Sequence, residues 1–132
     1  AAGLRTRVMG VAVSAPEGMF GAMARRLVAL VARRVGVAKG AAQKRIAVVG
    51  TEIGEGSGIP TARGDEATAR ARSVGLTLDP TYTAKAFAAT LDEVARGEAR
   101  TVVFWQTLSS ASLEARAREA PALPRDLDDL FV

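Results

Sequence analysis

The chain has 132 residues, 48% of them apolar and 24% charged, the size and make-up expected of one soluble domain. No apolar run approaches the roughly 18 to 20 residues of a membrane-spanning helix, and 13 Gly with 5 Pro make no collagen-like or low-complexity pattern. The absence of Cys and His excludes disulfides, thiolate and imidazole metal sites, a cysteine nucleophile and a histidine base. No metal site is expected, which leaves carboxylates, lysines, hydroxyls, the single Tyr82 or a borrowed cofactor.

The net charge of +4 conceals two halves of opposite sign. Residues 1–50 carry nine Lys/Arg against Glu17 alone, a net of +8, whereas residues 51–132 carry nine against thirteen acids, a net of −4. A basic nucleic-acid module is one reading of the first half. It is disfavoured because Phe20 is the one stacking aromatic there, and because fifteen Arg to three Lys with abundant Ala reads as compositional bias; a solvated helix face is preferred. The start, Ala1-Ala2-Gly3-Leu4, lacks an initiator Met and the layout of a signal peptide. A cytoplasmic origin and a piece of a longer chain are therefore expected, with no membrane partner.

In chain order, residues 7–14 form a Val-rich run that reads as a strand buried on both faces. Met19, Met23, Leu27, Leu30 and Val31 then recur at helical spacing within 17–35, predicting an amphipathic helix whose stripe fills the core. Gly36 ends it, and 37–43 is expected to be a loop. Residues 46–50 are a second buried strand, running into the glycine-dense segment Gly50-Thr-Glu-Ile-Gly-Glu-Gly-Ser-Gly-Ile-Pro60. Neither a dinucleotide fingerprint nor a Walker loop fits these glycines. Thr61 can cap a helix over 62–73 that closes at Gly75. Residues 76–80 are extended, because Pro80 disfavours helix at Asp79. A helix over 82–96 follows, with Phe87, Leu91 and Val94 on one side and Gly97 as its stop. A third strand is predicted at 101–105, a helix near 111–119, and a frayed acidic tail over Asp126 to Asp129.

Strands alternating with helices predict an α/β domain spanning 1–132, a three-layer αβα arrangement with a mostly parallel sheet. Three loops, 50–61, 79–83 and 106–110, could then converge at one sheet edge. They carry the hydroxyls of Thr51, Ser57, Thr81, Tyr82, Thr83, Thr107, Ser109 and Ser110.

An ordered series of short segments runs through these loops: Gly58-Ile-Pro-Thr61, Glu66-Ala67, Gly75-Leu-Thr-Leu-Asp-Pro-Thr-Tyr-Thr-Ala-Lys85, Arg96-Gly97 and Val102-Val-Phe-Trp-Gln-Thr107. In order and spacing the series resembles the C-terminal half of the pyridoxal-phosphate-dependent enzymes that include D-cysteine desulfhydrase and 1-aminocyclopropane-1-carboxylate deaminase. The resemblance implies part of the large domain of a tryptophan-synthase-β-like fold, in which pyridoxal phosphate lies between two domains.

Position by position, it implies that Tyr82 is the tyrosine that faces cofactor and substrate and takes part in proton transfer. Thr107 matches the hydroxyl residue that hydrogen-bonds the pyridine nitrogen. A neutral partner there moderates the ring as an electron sink, which suits elimination. Ser57 and Thr83 fall at substrate-facing positions. Deaminase members carry Glu at the Thr83 position and Leu at the Thr107 position, so the sequence leans towards desulfhydrase-type elimination from a small amino acid, giving a keto acid and ammonia. Deaminase-like chemistry is the alternative.

Ser57 replaces a second tyrosine, and Gln106, Leu108 and Ser109 replace the histidine and both glycines of the family's His-Thr-Gly-Gly loop. The added side chains occupy positions where backbone can approach a ligand closely. The family's cofactor-bonding lysine and phosphate-binding segment have no counterpart here. Lys39, Lys44 and Lys85 are expected to be solvated. The chain alone is therefore expected to be inactive, its site completed by the rest of the enzyme or by a homo-oligomer partner. A non-catalytic truncated domain is the remaining reading.

Overall fold

The computed structural model describes residues 6–108. The predicted helix near 111–119, the acidic tail, Ser109 and Ser110 lie outside the described residues. The fold is mixed α and β. Strand β1 (Val8–Val11) and strand β2 (Ile46–Val49) form a two-stranded parallel sheet, with Val8 opposite Ile46 and Val11 opposite Val49. Pairing runs one step further, since the Ala12 N–H donates to Val49 O at 2.8 Å.

The crossover between these strands is helix α1 (Glu17–Arg34) followed by helix α2 (Lys39–Gln43). The second of these replaces the loop expected at 37–43. Ala41, Ala42 and Gln43 are good helix formers, and the Gln43 amide donates to Arg25 O on α1 at 3.1 Å.

The apolar stripe of α1 faces outward, contrary to expectation: Met19, Met23, Leu27, Leu30 and Val31 are all half-exposed or more. A second row, Gly21, Ala24, Val28 and Ala32, is the buried or half-buried one. Its small side chains let α1 lie close to β2 and α2. Hydrophobic periodicity identified the helix correctly, but its large apolar side chains do not form the buried face among the described residues.

Helix α3 (Ala62–Arg72) and helix α4 (Thr83–Arg96) complete the regular elements. Thr61 caps α3 as predicted, its hydroxyl accepting the Gly64 N–H at 3.0 Å. Gly75 and Gly97 adopt φ of +76° and +68° beyond α3 and α4, the left-handed geometry that lets a chain leave a helix. The two helices pack through small residues: Gly64, Ala67 and Ala71 on α3 and Ala84 and Ala88 on α4 are all buried. Gly64 is needed there, since a Cβ would sit 3.0 Å from the capping hydroxyl of Thr61 and 3.7 Å from Ala84 Cβ.

A small core of Ala71, Leu78 and Ala84 is extended by Leu76, Phe87 and Phe104. The Phe87 and Phe104 rings meet edge to face with centroids 5.0 Å apart. Val94, expected on the inner side of α4, is exposed. The third strand predicted at 101–105 is absent; the segment has no regular secondary structure and joins no sheet among the described residues. Val102, Phe104 and Gln106 are partly buried while Val103 and Trp105 are 81% and 83% exposed. The period-2 pattern is present, but Phe104 packs on α4 rather than the segment pairing with β1 or β2. The described residues form one sheet, the two-stranded parallel one. No described helix is long and apolar enough to cross a membrane.

Candidate functional site

The segment before α4 is built around one carboxylate. Pro80 keeps Asp79 out of the helix, and the Asp79 side chain turns back over the start of α4. It accepts the N–H groups of Thr81, Tyr82 and Thr83 at 3.0, 2.7 and 3.0 Å. It also accepts the Thr83 hydroxyl at 2.6 Å, while that hydroxyl's oxygen accepts the Asp79 N–H at 2.7 Å. The arrangement is a closed turn leading into α4: the carboxylate takes the Thr81 and Tyr82 N–H groups before the helix and the Thr83 N–H at its first residue, while the Asp79 main-chain carbonyl accepts the Ala84 N–H at 2.9 Å. Burial alone would raise the Asp79 pKa, but the Thr83 hydroxyl and the three N–H groups together outweigh it and hold the carboxyl below its ordinary range.

Of the site residues expected from sequence, Tyr82 lies at the N-terminal boundary of α4 with 55% of its surface exposed. Its hydroxyl makes no hydrogen bond among the described residues. Thr83 is buried, and its hydroxyl is committed to Asp79. Ser57 is exposed in the glycine-dense loop, and Thr107 is exposed beyond the extended segment. Among the described residues no hydrogen bond joins Tyr82, Ser57 and Thr107, but two side chains tie their loops to the segments around Tyr82.

The first is Lys85, expected in solvent and found fully buried, with its ammonium donating to Ile53 O at 3.0 Å and Gly56 O at 3.1 Å. It fastens the glycine-dense loop to α4, three residues beyond Tyr82. The second is Gln106, whose amide donates to Thr77 O at 2.6 Å, linking the Thr107 segment to the strand-like approach to Asp79. The Gln106 carbonyl oxygen is buried without a partner among the described residues.

The start of the loop is held by charge. Glu52 is buried and accepts from Arg63 Nε at 2.9 Å, and Arg63 also reaches Asp92 on α4 at 2.5 Å. The Glu52 carboxylate is the main influence raising the Arg63 pKa; desolvation opposes it and Asp92 adds to it. Arg63→Met strands the Glu52 charge and is expected to cost about 2 kcal/mol in chemical denaturation, below the roughly 3–5 kcal/mol of a fully buried pair because Arg63 is half-exposed. A loss under about 0.5 kcal/mol would show that water reaches Glu52. Glu93, also buried, pairs with Arg7 at 2.8 Å and with Arg96.

Sequence reading missed Lys85, Glu52 and Glu93. Local pattern offered no signal for Glu52 or Glu93. For Lys85 the available hint was its place among Ala84, Ala86, Ala88 and Ala89 in a helix with little large apolar surface to bury.

The described surface has shallow depressions, among them one lined by Arg26, Leu30, Arg33 and Val37 and one between α3 and α4. Neither includes Tyr82, Thr83, Ser57 or Thr107. Among the described residues no three acidic side chains gather to hold a metal. As a test of fit to pyridoxal phosphate, the described residues offer an exposed phenol at Tyr82 and an exposed hydroxyl at Thr107. They do not offer a free lysine in the loops, because the Lys85 ammonium is taken by two main-chain carbonyls. Comparison with known proteins finds no family model and no curated protein that matches the chain.

Proposed function

We propose that this chain contributes Tyr82 and Thr107 to the site of a pyridoxal-phosphate enzyme of D-cysteine desulfhydrase type. A lysine from polypeptide beyond these 132 residues would bond the cofactor. The observation that carries the reading is the Asp79 turn, whose carboxylate accepts four hydrogen bonds while leaving the Tyr82 ring half-exposed. That turn is the centre of the motif series resembling the enzyme family.

Bound pyridoxal phosphate supplies the electron withdrawal that acidifies the hydrogen next to the amino group. In this reading Tyr82 holds or moves a proton at its phenol oxygen. Thr107 donates its hydroxyl to the pyridine nitrogen, and Ser57 meets the substrate. Thr83, through Asp79, orients the backbone that carries Tyr82. D-cysteine and water would give pyruvate, hydrogen sulfide and ammonia.

The test uses the chain joined to the sequence encoded upstream of Ala1, supplied with pyridoxal phosphate and D-cysteine. Sulfide and pyruvate in equal amounts are expected, with borohydride trapping the cofactor on an upstream lysine. Trapping on Lys39, Lys44 or Lys85 would overturn the division of roles, and no keto acid from any small amino acid would reject the reading. Release of 2-oxobutanoate from 1-aminocyclopropane-1-carboxylate in place of pyruvate would transfer it to the deaminase side.

A further inference from the structure

Lys85 is fully buried, yet among the described residues no carboxylate lies within 4.0 Å of its ammonium. A buried lysine ordinarily requires an anionic partner, because an uncompensated charge is costly away from water. Here the compensation comes from dipoles. Ile53 O and Gly56 O, three residues apart, converge on one nitrogen at 3.0 and 3.1 Å. They can do so because Gly54 and Gly56 take φ of +62° and +138°, conformations that side chains beyond glycine rarely adopt. The loop is packed tightly at this point: a Cβ on Gly54 would lie 2.5 Å from Thr61 Cγ2 and 4.0 Å from Lys85 Nζ. A cation held by main-chain carbonyls of a turning loop is the coordination that a free ammonium or potassium ion would take in such a place.

The geometry points to Lys85 as a tethered monovalent cation that orders the loop over 53–58 and so sets Ser57 relative to the Tyr82 turn. The last step rests on the function proposed above; the ordering of the loop does not. Lys85 is thus a positioning residue, acting through the loop backbone. An apolar side chain could fill the same volume, but it could not satisfy two carbonyl oxygens turned towards one point.

Amide hydrogen exchange across 53–58 reads the ordering directly and needs neither cofactor nor substrate. Lys85→Ala is expected to raise exchange there at least about tenfold, the lower end of what losing a charge-assisted hydrogen bond releases. Free n-propylammonium, which supplies the atoms that Ala lacks, is expected to restore protection, whereas propan-1-ol is not. Unchanged exchange in Lys85→Ala, or equal rescue by propan-1-ol, would overturn the inference. Should Lys85→Ala fail to fold, acetylation of the unaltered chain decides. Lys85 must then be modified far more slowly than exposed Lys44, and equal rates would overturn the assignment. Failure of Tyr82 to act in turnover leaves each of these outcomes untouched, so the two ideas fall separately.

Discussion

Asp79→Ala is expected to lower stability by about 3 kcal/mol. The Asp79 carboxylate accepts four hydrogen bonds, and leaving these partly buried donors without a partner costs roughly 1–3 kcal/mol, the upper end applying because all four are lost together. For a chain of this length a loss of about 3 kcal/mol corresponds to a fall in Tm of roughly 11 °C. Asp79→Asn keeps an acceptor oxygen but loses the charge, and a loss of about 1–2 kcal/mol is expected. The pH dependence has a definite sign. Because the folded-state pKa of Asp79 is lowered, its contribution is fully present above the ordinary carboxylate range near pH 4. It is lost as pH falls through the lower folded-state value. Urea unfolding at pH 7 and near pH 3 checks this: the gap between the unaltered chain and Asp79→Asn should narrow in acid. A gap of equal size at both pH values would show that the carboxylate's charge does not hold the turn.

In the complete enzyme, Tyr82→Phe should lower kcat by roughly 10²–10⁴, the contribution of a positioned acid or base. KM should change little, because the ring remains. The structure separates this effect from instability. The Tyr82 hydroxyl makes no hydrogen bond among the described residues and its ring is half-exposed, so the variant should unfold at the same denaturant concentration as the unaltered chain. Turnover of D-cysteine and the urea midpoint are the two measurements. Unchanged kcat would remove Tyr82 from the chemistry, and a large fall in stability would mean that the hydroxyl serves packing.

Much of the framework was legible because local rules act within a few residues. The two Val-rich runs pair as parallel strands, Thr61 caps α3, and Gly36, Gly75 and Gly97 stop three helices through positive φ. Pro80 marked the chain before α4 as non-helical. Each of these signals depends on backbone sterics or on a hydrogen bond between near neighbours. Ala41 to Gln43 is the local exception: a short helix stands where a loop was expected, secured partly by a contact to Arg25 on α1.

Burial was less legible, because it depends on what the rest of the chain brings alongside. The stripe from Met19 to Val31 and the segment 101–105 both read as interior from hydrophobicity alone. In three dimensions the row Gly21, Ala24, Val28 and Ala32 is the buried side of α1 while the larger stripe is exposed, and Phe104 packs on Phe87 rather than in a sheet. Lys85 shows the same limit in reverse. Its identity argued for solvent, yet two carbonyls 32 and 29 residues away in sequence compensate its charge inside.

The sequence by itself determined β1, β2, α1, α3 and α4, the Thr61 cap, the glycine stops and the order of motifs around Tyr82, since these follow from torsional preference and nearest-neighbour hydrogen bonding. Only the tertiary structure decided that Lys85 ties the glycine-dense loop to α4 and that Glu52 and Glu93 are buried against Arg63 and Arg7. Compensation of a buried charge is a sum over distant groups, and no window of local sequence contains it.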